Sequence, residues 1–337
     1  MRKIMKRLVA LAAVTTMTLA SLVGCASGVD IDNSEVVATV GDSEITAGVA
    51  NFYLRYQQSG MEELYASYFG EGFWTMELSE GGTYAQQLKD TAMSTLHEFY
   101  VLEDHMADYN VTISDEEMAA IEAAADAFIA ANSADVNKNI SAEKEVVVEV
   151  LRLFTINEKM FQAMTADVNR EVSDAEAAQM RVRYYSKNKT NSDGSVLKED
   201  ELKTMRAELQ DFLDKAKANG SMKAYGEEIN LNTYTLTFDA NSTNVHEDVI
   251  NAALQLKEGE FADLVETDTF IYAIQLESLY DEEASNAMKE TIIDEREVEA
   301  YTKVAENWLK ETTIEVNEEV WDKVVVEALR VTVIEEE

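Results

Sequence analysis

The chain has no proline and one cysteine in 337 residues. Average usage of about 5% would place roughly seventeen prolines in this length. Prolyl isomerisation, which takes tens of seconds or more uncatalysed, is therefore excluded as a step in this protein's own folding. A single cysteine excludes an internal disulfide, and the length suffices for substantial cores without one. Basic residues are also scarce, with 28 Lys and Arg against 65 Asp and Glu, a net charge of −37. A surface this acidic repels nucleic acid and anionic lipid head groups, so neither is expected as an electrostatic partner. Only three histidines are present. His97 and His105 share a helical stretch with Glu98 and Asp108, but no second histidine follows His97 at zinc-protease spacing, and His246 stands in a polar loop. They read as solvated or partly buried positions, and no metal or other cofactor is called for. Apart from residues 8–23, no apolar run approaches the roughly twenty residues of a membrane span.

What is there begins with an address. Arg2, Lys3, Lys6 and Arg7 precede the apolar stretch 8–23, which is short for a membrane span and is flanked at its end by small residues. Residues 1–24 therefore read as a signal peptide. Leu22-Val23-Gly24-Cys25 resembles a bacterial lipobox. That resemblance implies that Cys25 is diacylated and becomes the first residue of the mature protein. The isolation of the thiol agrees, since a lone cysteine outside the cytoplasm is normally paired between chains or chemically consumed. The expected location is extracytoplasmic, held to the bacterial cell membrane through lipid at Cys25, with residues 25–34 as a tether.

The fold class expected is α+β. Val36 to Val40 and Glu44-Ile45 around Gly41-Asp42 predict a hairpin, and Thr46 caps a helix carrying Val49, Phe52, Tyr53 and Tyr56 on one side. Residues 84–109 read as one amphipathic helix with Leu88, Ala92, Leu96, Phe99, Leu102 and Met106 at three- and four-residue steps. Ser114-Asp115-Glu116-Glu117 opens the next helix, 132–139 is a polar break, and 142–168 is helical again. Residues 35–171 thus form a mostly helical domain. Residues 172–284 read β-α-β-α-β, a small inserted unit. Residues 285–337 supply a long helix and a short strand that complete the first domain, with Trp321 near the end of the ordered chain and 335–337 a frayed tail.

The order of parts resembles the SurA/PrsA-type foldases. Val37-Ala38-Thr39-Val40-Gly41-Asp42-Ser43-Glu44-Ile45-Thr46 is similar to their opening hairpin, and Val172-Ser173-Asp174-Ala175-Glu176 to the junction entering their parvulin domain. The run from Ala253 to Thr267 is similar to the segment before that domain's last strand, and Thr313-Ile314-Glu315-Val316 to the strand returning to the N-terminal domain. The resemblance implies a helical chaperone domain with a parvulin-like insert. It also places Tyr184 and Tyr272 where the family carries its two histidines, with no cysteine left for the third position and no glycine-rich segment.

Twisting a prolyl amide breaks no bond but must lower a barrier of about 18–20 kcal/mol, using an apolar socket and polar groups that favour the twisted form. Tyrosines supply hydroxyls but not a histidine pair of tunable protonation. The expected function is a lipid-anchored chaperone binding unfolded or partly folded secreted polypeptides, its parvulin-like domain catalytically degenerate. An active peptidyl-prolyl isomerase using Tyr184 and Tyr272, and a solute-binding lipoprotein, stand as alternatives. In the aromatic run from Phe52 to Trp74 most rings are expected in the core, with Tyr65, Phe69 and Trp74 as candidates for a client-binding groove.

Overall fold

The computed structural model describes residues 18–21, 31–69, 72–79, 81–191, 194–326 and 331–334. Cys25, most of the expected signal peptide and the tail 335–337 lie outside them. In chain order the elements are β1 (Thr18–Ser21), β2 (Val36–Val40), β3 (Ser43–Thr46), α1 (Ala47–Phe69), α2 (Tyr84–Asp104), α3 (Asp115–Ala131), α4 (Ala134–Asn139), α5 (Lys144–Met164), α6 (Asp174–Ala177), β4 (Met180–Asn188), α7 (Glu199–Asn219), α8 (Met222–Glu228), β5 (Tyr234–Phe238), α9 (Glu247–Ala253), β6 (Val265–Glu266), β7 (Phe270–Ser278), α10 (Glu282–Glu311), β8 (Ile314–Val316), α11 (Glu318–Trp321) and β9 (Val331–Ile334). They divide into two compact units, Met1–Val168 with Glu297–Glu337, and Asn169–Arg296.

In the first unit the β2–β3 hairpin turns through Gly41, whose φ of +57° favours glycine and where a Cβ would crowd the Asp104 carboxylate at 3.3 Å. Strand β8 adds to the other edge of β2, giving the order β3-β2-β8. Against this sheet pack helices whose apolar stripes interlock: Tyr53 and Leu54 of α1, Leu96 and Leu102 of α2, Leu153, Ile156 and Met160 of α5, all buried. Leu153, Ile156 and Met160 repeat at three- and four-residue steps and so share one face of α5, a stripe that is buried only against neighbouring elements. The Phe154 ring is met edge-on by Phe99 at 5.8 Å and Tyr53 at 5.9 Å. Strands β1 and β9 form a separate antiparallel pair.

Three local expectations are revised. The helix predicted over 84–109 ends at Asp104, and Met106–Tyr109 is a 3-10 turn closed by Asn110 in the left-handed region. His105 leaves helical geometry there, stacking on the Trp308 indole at 4.0 Å and bonding Asp108 at 2.7 Å. The polar break at 132–139 contains the short helix α4, started by Ser133 accepting from the Val136 amide. The C-terminal segment also continues past Trp321, with Val324 and Val326 in the core. By contrast α3 starts on the Ser114–Glu117 capping box that its sequence predicted.

In the second unit four antiparallel strands run in the order β5-β4-β7-β6. One face packs Val182, Phe238, Ile274 and Leu276 against Val249, Ile250 and Ala253 of α9. The other packs Ile271 and Ala273 against Leu209, Phe212 and Leu213 of α7 and Met222 of α8. On that second face Gln275 is buried but satisfied, accepting from the Met222 amide at 2.8 Å and donating to the carbonyls of Gly259 and Gly220. Helix α8 and strand β6 were not foreseen, being too short to carry a period. Among the described residues no helix is long and apolar enough to cross a membrane.

Candidate polypeptide-binding surfaces

On β4 and β7, Tyr184 pairs with Ile274 and Ser186 with Tyr272. This register makes the two tyrosines diagonal neighbours on one sheet face. Their ring centroids are 5.8 Å apart at 58° between planes. Tyr234 stands opposite Tyr184 on β5, with centroids 5.9 Å apart, and Phe270 lies 5.7 Å from Tyr272. Four rings therefore run in a row across three strands. Val182, Ile274 and the partly buried Leu236 and Leu256 belong to the same cluster.

Neither Tyr184 nor Tyr272 has a hydroxyl hydrogen bond among the described residues, while Tyr234 is 55% exposed. Burial, with smaller contributions from Tyr184 and Asp268, pushes the Tyr272 phenol above its ordinary value, so it stays a neutral donor near pH 7. The row offers flat apolar area and two phenol donors, suited to stacking on a side chain while hydrogen-bonding a carbonyl. His246 caps α9 and lies 3.4 Å from Asp248 and 3.7 Å from Asp268. The sequence singled out Tyr184 and Tyr272; Tyr234 and Phe270 were missed, because only strand register reveals that they join the row.

In the first unit the run from Phe52 to Trp74 divides. Phe52, Tyr53, Phe73 and Trp74 are buried. Trp74, a candidate for an open groove, is interior at 6% exposure, and its indole N–H donates to Glu62 at 2.9 Å. Phe69 is 49% exposed beside the more exposed Tyr68, and stacks on Phe73 at 5.6 Å. The side chain of Tyr65 lies outside what is described.

Beneath Trp74 runs a polar ladder that the sequence did not disclose. Arg55, Gln58 and Glu62 occupy one face of α1 at three- and four-residue steps, all buried. Arg55 Nη1 donates to Gln58 Oε1 at 2.6 Å, and Gln58 Nε2 donates to Glu62 Oε1 at 2.8 Å. Arg55 Nη2 also donates to the Val325 carbonyl at 2.7 Å, and Lys89 of α2 donates to the Trp321 carbonyl at 2.9 Å, its ammonium 4.8 Å from the Trp321 ring centroid. Burial lowers the Arg55 guanidinium to about 10, with Glu62 opposing the shift, and lowers the Lys89 ammonium against the pull of nearby acids. An i, i+3, i+7 pattern of Arg, Gln and Glu reads as a solvated helix face, which is why sequence reasoning passed over it. Among the described residues no group of three or more His, Cys, Asp and Glu is placed to hold a metal ion.

The fold is thus α+β, a helical unit drawn from both ends of the chain and a small sheet unit drawn from its middle. Residues 1–167 match the family model of the SurA-like N-terminal domain, and through this domain the chain belongs with the SurA-like proteins, as its motifs implied. Among solved structures it is similar to the peptidylprolyl isomerase PrsA of Bacillus anthracis at 18% identity, over 64% of this chain and 96% of that one, with a TM-score of 0.29. A SurA-like chaperone of Campylobacter jejuni matches at 10% identity, over 84% and 99%, with a TM-score of 0.30. The foldase protein PrsA of Streptococcus pneumoniae matches at 16% identity, over 74% and 97%, with a TM-score of 0.29. The assignment rests on the domain match rather than on these superpositions. No curated protein matches the chain.

Proposed function

We propose that the protein is a lipid-anchored chaperone working outside the cytoplasm, which binds non-native secreted polypeptides reversibly and without a cofactor. The observation that carries this reading is the conjunction of a SurA-like N-terminal domain with the lipobox-like Leu22-Val23-Gly24-Cys25. The signal peptide covers residues 1–24 and the tether 25–34. Residues 172–284 form a parvulin-like domain that retains an apolar, ring-lined face at Tyr184 and Tyr272 but not the histidine pair. Cleavage before Cys25 removes β1, which leaves β9 without the strand it pairs with in the full chain. Exposed Phe69, with Tyr65, is the client-binding candidate of the helical domain. Incorporation of radiolabelled palmitate in a bacterial host, abolished by Cys25→Ser, together with suppressed aggregation of an unfolded client, tests the reading. A chain that takes no label, or that leaves aggregation unchanged, overturns the corresponding half.

A second reading, an active peptidyl-prolyl isomerase, is favoured by the convergence of Tyr184 and Tyr272. It requires the phenols to stabilise the twisted amide by hydrogen bonding alone. A proline-peptide isomerisation assay separates the two readings.

A further inference from the structure

We propose that the cleft between α1 and α2 is a polypeptide-binding site whose resident occupant is the chain's own segment 320–326, exchangeable for an extended apolar segment of a non-native polypeptide. The inference deepens the chaperone reading and rests on it. The segment is held as a bound peptide is held. Its two polar anchors are main-chain carbonyls four residues apart, Trp321 taken by Lys89 and Val325 by Arg55. Main-chain carbonyls are common to every polypeptide, so these contacts supply affinity without reading sequence. The segment's apolar side chains fill the rest, with Trp321, Val324 and Val326 at 4%, 0% and 6% exposure. Beyond Trp321, residues 322–326 have neither helix nor strand, and their turn is closed by the Lys323 and Val324 amides bonding back to Val320 and Trp321.

The cations belong to the cleft, whatever occupies it. Arg55 and Lys89 are 3% and 8% exposed. Arg55 Nε has no partner among the described residues, so the resident segment leaves part of the guanidinium unmet. Withdrawing the segment removes two carbonyl acceptors from buried charges, a costly state that any replacement offering free carbonyls and apolar side chains relieves. Because the segment is tethered a few residues after β8, its effective concentration is on the order of millimolar, which sets the threshold an incoming chain must exceed. A chain offering several apolar segments exceeds it; a folded protein, with its carbonyls paired, does not.

Hydrogen exchange on the full mature lipoprotein in detergent micelles tests this, with reduced and carboxymethylated α-lactalbumin as the unfolded probe. Amides of residues 320–326 are expected to exchange at least about threefold faster with the probe bound; unchanged exchange with the probe bound overturns the proposal. Trp321→Ser, which weakens the resident segment, is expected to tighten probe binding about three- to tenfold, and equal or weaker binding by a folded variant overturns it. A synthetic peptide spanning residues 318–326 keeps the two readings apart. Should the Trp321→Ser chain bind the peptide in trans while the wild-type protein binds no unfolded probe, the cleft stands and the chaperone reading falls. Should it bind neither, both fall.

Discussion

Tyr184 and Tyr272 meet across β4 and β7 with ring centroids 5.8 Å apart and 58° between their planes. Burial pushes the Tyr272 phenol above its ordinary value, away from the neutral range in which a histidine titrates. The intact protein is therefore expected to leave a proline tetrapeptide relaxing on the uncatalysed scale of about 10–100 s at 25 °C, while Tyr272→Ala weakens binding of the same peptide. A coupled isomerisation assay and a fluorescence titration measure the two. Acceleration that disappears in the Tyr184→Phe, Tyr272→Phe double variant would establish the enzyme instead.

The exposed and interior halves of the aromatic run separate by substitution. Phe69→Ser with Tyr68→Ser alters mostly open surface and one ring stack on Phe73, so the unfolding free energy should fall by only about 1 kcal/mol while suppression of client aggregation falls. Trp74→Ser deletes a core ring and its hydrogen bond to Glu62, and should cost about 3–5 kcal/mol. Denaturant midpoints and light scattering on the same preparations distinguish a client surface from a packing defect.

Periodicity carried the elements that bury a long stripe. The stripe of α2 from Leu88 to Leu102 and the alternation from Met180 to Tyr185 were legible because each apolar residue repeats at the period its element requires. What the sequence hid depends on contacts distant along the chain. Arg55 reads as a solvated residue until Val325, 270 positions away, brings a carbonyl to it. Tyr234 joins Tyr184 only through strand register. His105 caps α2 with its ring stacked on Trp308, a contact that no local propensity encodes.

The buried ladder makes its own prediction. Arg55→Met keeps apolar bulk but leaves the Val325 carbonyl without its donor, so stability should fall by about 2–4 kcal/mol. Lys89→Met should cost less, since only one hydrogen bond and a ring contact are lost and the methionine stem still packs against Trp321. Urea midpoints at constant m-value test the order, and a larger loss at Lys89 contradicts the assignment of Arg55 as the principal anchor.

His97 governs the response to mild acid. Its Nε2 is buried without a partner among the described residues, and burial holds the imidazole below its ordinary value of 6.5. Above pH 6.5 the side chain is neutral in both folded and unfolded chains, and its contribution to stability is fully present. As pH falls below 6.5 the unfolded chain takes a proton that the folded chain does not, so this contribution is lost down to the lower folded value. Glu266, held by Arg206 at about 2 against an ordinary 4.5, also loses stability on acidification, but only below 4.5. The interval between 6.5 and about 5 therefore contains the His97 contribution and excludes that of Glu266. The thermal midpoint of wild-type protein should drop between pH 7.5 and 5.5, and His97→Gln, which has no titrating group, should show a smaller drop. An equal drop in the variant would assign the acid sensitivity elsewhere.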